Sequence, residues 1–226
     1  MKKLIFLLFL PLIFTSCIEI IDDISINSDG SGTFKYVVNL SDSKLKVNSI
    51  LALDSLDGKK VPSMAEIKNI VAEYKIKLEQ KEGISNVKVE TDYVNFILKF
   101  QCDFDNVNDL QNAVKEIAIE KDKKQEFKEI QENWLTWDGS KLIRSVPTLT
   151  AETTQKLKKE EADALKTGTY TSITRFDRLI DKVENPKATL SKSNLACMIK
   201  TNPYSLIQNL TILENTIYLT NTKKPQ

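Results

Sequence analysis

The sequence predicts an α+β fold: an antiparallel β-sheet built from hairpins, with helices packed on one face. Three observations predict it. Apolar residues alternate with polar ones in several short runs, the pattern of half-buried strands. Those runs come in neighbouring pairs joined by turn residues such as Asn27-Ser28-Asp29-Gly30-Ser31-Gly32 and Asp138-Gly139. Between the pairs lie segments with apolar residues at helical spacing, so helices are inserted between hairpins and not wound around a parallel sheet.

The elements follow in order. Ile18–Ile26 and Thr33–Leu40 form the first hairpin. Ile18, Ile20, Ile24 and Ile26 share one face, interrupted by Asp22, and Phe34, Tyr36, Val38 and Leu40 line the partner strand. Asp22, Asp23 and Asp29 lack the spacing and terminal Glu of an EF-hand, and read as solvated turn residues. Ser43–Leu56 is a short helix. After Pro62, Ser63 and Glu66 form a capping box, and Ile67, Ile70, Val71, Tyr74 and Leu78 make an inward stripe that ends at Gly83.

Val87–Glu90 and Val94–Phe104 form a second hairpin. A helix follows, capped by Asn106, with Leu110, Val114 and Ile117 inward. Residues 120–132 mix charges of both signs and read as a solvated face or connection. Trp134–Trp137 and Lys141–Val146 form a third hairpin closed by Pro147. Glu152–Lys166 is a charged helix stopped by Gly168, and Thr169–Phe176, Leu195–Lys200 and Leu210–Leu219 are further strands. Residues 220–226 form a polar, loose tail.

The first residues carry a different message. Lys2 and Lys3 are followed by an unbroken apolar run of 11 residues, Leu4–Phe14, then by small Thr15 and Ser16 and by Cys17. Basic, apolar, small is the layout of a secretory signal, and the run is too short to span a bilayer, which takes about 20 apolar residues. The segment Ile13-Phe14-Thr15-Ser16-Cys17 resembles a lipobox, although Phe14 stands where that pattern usually has Leu. The resemblance implies that residues 1–16 are a lipoprotein signal peptide, that Cys17 is acylated, and that the chain is held to a membrane by lipid. The stretch from Cys17 through Asp29-Gly30-Ser31-Gly32 is similar to the opening of bacterial lipoproteins of the Bacteroidota type and of the LppM domain group. The later stretch Asn185–Leu219 loosely resembles the end of such domains, so the likeness covers the two ends of the chain, and it implies an envelope location with no particular reaction.

Composition narrows the function. The expected mature chain has 210 residues, read as one α+β domain over residues 17–219. Without the leader it has 30 basic and 31 acidic residues, too balanced for a nucleic-acid partner or a polybasic membrane patch. The chain contains no histidine, which removes Ser-His-Asp and Cys-His catalysis and the commonest transition-metal ligand. No glycine-rich phosphate loop and no C-x-x-C motif occurs. The sequence therefore leads to no catalytic residue, no cofactor and no metal ligand. Cys102 and Cys197 both lie on apolar strand faces. They form either a disulfide or two separate buried thiols, since spacing does not set pairing.

Trp134 and Trp137 stand on opposite faces of a strand, so one belongs to the core and the other can stack on a sugar or a protein; alternatively, both pack under helices. The expected role is a non-enzymatic binding or structural protein of the cell envelope, anchored to the outer membrane facing the periplasm, with an envelope protein or glycan as partner. The alternatives are a lipid or glycolipid carrier, marked by a large apolar cavity, and a glycan hydrolase, marked by two facing carboxylates.

Overall fold

A computed structural model describes residues 18–56, 58–121, 133–145 and 165–223. Cys17, residues 122–132 and nearly all of the expected Glu152–Lys166 helix lie outside the described residues. The fold is α+β. Its main sheet has seven strands: β1 (Glu19–Ile26), β2 (Gly32–Asn39), β5 (Ile84–Asp92), β6 (Ile97–Phe104), β9 (Thr169–Phe176), β11 (Thr189–Leu190) and β12 (Ala196–Thr201). Their order is β11-β12-β9-β1-β2-β6-β5. A second sheet, ordered β10-β13-β8-β7, comprises β7 (Leu135–Trp137), β8 (Lys141–Arg144), β10 (Arg178–Val183) and β13 (Asn215–Lys223). A small ribbon joins β3 (Ser55–Leu56) to β4 (Lys59–Lys60). The helices are α1 (Lys44–Leu51), α2 (Met64–Glu79), α3 (Val107–Lys121) and α4 (Pro203–Gln208).

The three expected hairpins are present as β1–β2, β5–β6 and β7–β8. One pairing among the described residues departs from the antiparallel scheme. β1 lies parallel to β9, with Asp22 opposite Ser172 and Ile24 opposite Thr174. Nothing local announces such a pair, because its partners are separated by most of the chain. The expected loose tail also departs. β13 continues to Lys223, which pairs with Arg178, so the edge hydrogen bonds of β10 hold the chain through that point. The expected Ser43–Leu56 helix ends at Leu51 and gives way to the β3–β4 ribbon.

The alternation of the strands puts one set of side chains on an inner face. Across that face run rows such as Cys197–Thr174–Ile24–Phe34–Cys102 and Phe176–Ile26–Gly32–Phe104–Ile84. The second sheet closes over one end of the face. Its Leu135, Leu142, Ile180, Ile217 and Leu219 join Ile24, Ile26, Phe104 and Phe176 in the main core. Gly32 belongs to the tightest row: a Cβ there would stand 1.9 Å from the Ser25 carbonyl oxygen and 2.5 Å from Phe104 Cζ.

Helix α3 is tied to this core by Gln111, which is fully buried. Its side-chain oxygen accepts from the Leu135 N–H at 2.8 Å and its Nε2 donates to the Leu135 carbonyl at 2.9 Å. The amide thus completes the backbone pairing of β7, an edge strand of the second sheet. Helices α1 and α2 lie over the other end of the inner face and bury none of their residues fully. The capping box at Ser63 and Glu66 is formed as the sequence predicts. Within the α2 stripe, Ile67 and Val71 face inward, whereas Ile70 is exposed.

Candidate functional site

Between the inner face, α3 and β7–β8 lies a cavity of about 290 Å³. Its walls are apolar: Ile24, Phe34, Leu110, Val114, Trp134 and Leu135. Its polar side is a cluster that sequence reasoning missed. Asp22 is not a solvated turn residue; it points inward from β1 and is only 4% exposed. A carboxylate interrupting an apolar strand face was the available signal, because such a group must find partners when buried.

The partners come from two distant segments, β8 and β9. Arg144 of β8 engages Asp22 through both guanidinium ends, Nη1 to Oδ1 and Nη2 to Oδ2, each at 3.1 Å. Ser172 Oγ donates to Asp22 Oδ1 at 2.8 Å and accepts from Arg144 Nη1 at 2.6 Å. The Tyr170 hydroxyl donates to Asp22 Oδ2. The carboxylate thus receives four hydrogen bonds, which fills the acceptor capacity of two oxygens. Burial, and then the adjacent Asp22 charge, hold the Tyr170 phenol far above its ordinary range, so it stays a donor. Burial also opposes the Arg144 charge, but Asp22 and Tyr170 together outweigh it and the guanidinium is held above its usual value. Tyr36, across the cavity, is likewise raised by burial and by Asp22. The result is a self-neutralised ion pair beside an apolar hollow.

A second hollow of about 260 Å³ lies next along the same face, under α1 and α2. It is lined by Val38, Val47, Leu51, Met64, Phe96 and Leu98 among others. Tyr36 lines the first cavity and Val38 the second, two residues apart on one face of β2. Phe96 is held at φ 55°, unusual for a bulky residue, and its carbonyl accepts from the Leu40 N–H at 3.0 Å.

The residues singled out from sequence are dispersed. Trp134 lines the first cavity and is half-buried. Trp137, also half-buried, ends β7 and is stacked on Phe176 with centroids 5.9 Å apart and covered by Arg178. Both rings pack against the main core, so neither is the freely exposed stacking platform considered above. Cys102 and Cys197 are both buried and both free, and a disulfide between them is excluded. They stand in one row but on β6 and β12, with β2, β1 and β9 between. Four strand spacings amount to about 19 Å, against the roughly 4.4–6.8 Å that a bridge requires. Burial pushes the Cys102 thiol up to about 12 and the Cys197 thiol up to about 11.

A polar cleft lies on the far side of Arg144, where Glu184, Glu214 and Asn185 stand. The Tyr218 hydroxyl donates to Glu184 at 2.8 Å and, with Thr216, keeps that carboxyl below its usual range. Among the described residues no group of three metal-ligating side chains gathers, and no helix is long and apolar enough to cross a membrane.

The chain is similar to the NMR structure of the folded domain of LppM from Mycobacterium tuberculosis, with a TM-score of 0.40 and 10% identity. The match covers 92% of this chain and 91% of that one. No family model and no curated protein matches the chain. A likeness that distant carries nothing about ligand or partner.

Proposed function

We propose that the chain is a lipid-anchored cell-envelope protein that binds an amphiphilic ligand without turning it over, its apolar chain lodged in the hollow beside Asp22 and Arg144. One observation carries the reading: the inner face is incompletely filled, with apolar walls and a polar wall whose charges already satisfy each other. A cavity of about 290 Å³ is at the small end of ligand pockets, which run roughly 300–1,000 Å³. It suits one slender apolar chain better than a bulky ring system. The hydroxyls of Tyr170 and Tyr36 supply polar contacts for a headgroup.

The hydrolase alternative is weaker on chemistry. Glycoside hydrolysis needs one carboxyl kept protonated and a second placed across from it. Among the described residues Asp22 is the one carboxylate lining the apolar cavity, and four donors already occupy it. In the polar cleft, Glu184 is drawn toward the ionised form, the wrong direction for an acid. Anchoring through Cys17 rests on the lipobox resemblance, and the periplasmic face rests on Glu19, Asp22 and Asp23 forming no compact acidic run after it; both belong to the same proposal.

The test is binding of a fluorescent fatty-acid analogue to the purified chain. Val114 is 38% exposed at the cavity wall. Val114→Trp should fill the cavity and abolish binding while unfolding stays cooperative. Equal binding by the parent and the Trp variant, or none by the parent, overturns the assignment.

A further inference from the structure

The start of β1, the end of β2, the start of β6 and the end of β5 meet at one end of the main sheet, where Glu19 pairs with Asn39, Asn39 with Ile97, and Ile97 with Asp92. Cys17 is one residue from Ile18, whose carbonyl accepts from the Thr169 N–H at 2.6 Å. Lipid carried by Cys17 therefore leaves the protein at this end. We infer that this end is a membrane-resting surface, with Leu45, Leu53, Leu56 and Val94 dipping into the bilayer that holds the Cys17 acyl chains. The inference rests on the anchoring reading proposed above.

The surface has the chemistry for that occupant. Leu45, 72% exposed, and Val94, 68% exposed, are the two most exposed large apolar side chains among the described residues. They belong to α1 and to the β5–β6 turn, which Lys44 joins through a hydrogen bond to Asn95 Oδ1 at 3.2 Å. Leu53 and Leu56, at 46% and 43%, follow α1 in the loop and ribbon that lead to α2. Apolar side chains gathered beside a lipid attachment point mark an interaction surface, and lipid is the neighbour the anchor guarantees. The surrounding charges are mixed, with Lys46 and Lys59 beside Asp42 and Asp54, so attraction to anionic lipid is not required. The hollow lined by Val47, Leu51, Met64 and Phe96 sits directly behind these elements. The opposite end, the β1–β2 turn, is polar: Asp29 accepts from the Ser31 N–H at 2.9 Å, and Ser28 Oγ donates to Asp177 at 2.7 Å. Eight residues of β1 hold the two ends about 26 Å apart.

The experiment uses the full mature chain, acylated at Cys17 and reconstituted into phosphatidylcholine vesicles. Nitroxides are attached to Leu45→Cys, Val94→Cys and, as the distant control, Asp29→Cys. Native Cys102 and Cys197 are 0% and 3% exposed and escape labelling. Labels at positions 45 and 94 should relax strongly with oxygen and weakly with a water-soluble nickel chelate, and the label at 29 the reverse. If the protein floats with vesicles but labels 45 and 94 behave like label 29, the orientation is wrong and the anchor stands. Shielding of labels 45 and 94 from both reagents means that protein covers them, which also overturns the inference. Failure to float removes the anchor, and the surface with it.

Discussion

Arg144→Met should be among the most damaging single changes in this protein. Asp22 is 4% exposed, and the Arg144 side chain is 17% exposed while donating to both carboxylate oxygens. Removing one partner of a buried ion pair leaves an uncompensated charge and costs about 3–5 kcal/mol. Asp22→Leu should cost a similar amount, because it strands the guanidinium. The double variant should lose no more than about 2 kcal/mol, since two apolar groups replace the pair and only the hydroxyls of Tyr170 and Ser172 need new partners. Non-additivity of several kcal/mol is therefore expected. Guanidinium unfolding followed by tryptophan fluorescence measures it, since Trp134 lines the same cavity. If the two single losses sum to the loss of the double, the pair is not a coupled buried unit, and the description of the cavity's polar wall is wrong.

Other consequences are open to the same treatment. Gln111→Leu should cost about 2–4 kcal/mol in chemical unfolding, because both buried backbone groups of Leu135 lose their partner. Gly32→Ala should cost about 3 kcal/mol or more, since the new methyl meets the Ser25 carbonyl and the Phe104 ring; a loss below about 1 kcal/mol contradicts that packing. Ser63→Ala should cost about 1 kcal/mol through the lost α2 cap, read as a lowered midpoint with unchanged slope. Native Cys102 and Cys197 should resist iodoacetamide at pH 8 and react quickly once unfolded. Their raised values have a sign: the stabilisation is whole below the unfolded thiol's value near pH 9 and is lost as pH rises toward about 11 and 12. Each thiol removes up to about 1.4 kcal/mol per pH unit in that window, so Cys102→Ala with Cys197→Ala should flatten the alkaline limb of stability against pH.

The local elements were legible in the sequence because their causes are local. Turn residues at Asn27–Gly32 and Asp138–Gly139 set two hairpins, Ser63 and Glu66 start α2, and period-two alternation placed Cys102 and Cys197 facing inward. Alternation assigns a face, but it does not say which strand lies beside which, so the two cysteines shared a face while standing four strands apart. The β1–β9 pair joins residues separated by most of the chain, and no turn chemistry encodes it.

The site depends on that long-range order. Read alone, Asp22 is a polar break in an apolar run. It becomes a buried half of an ion pair only because β9 brings Tyr170 and Ser172 alongside β1, while the second sheet lowers Arg144 onto the same face. The lipobox-like start, the absence of histidine and the hairpin chemistry are properties of contiguous residues, and the sequence by itself determined them. The hollow beside Asp22 is space left between three packed layers. Its volume follows from how far those layers stand apart, which only the tertiary structure decided.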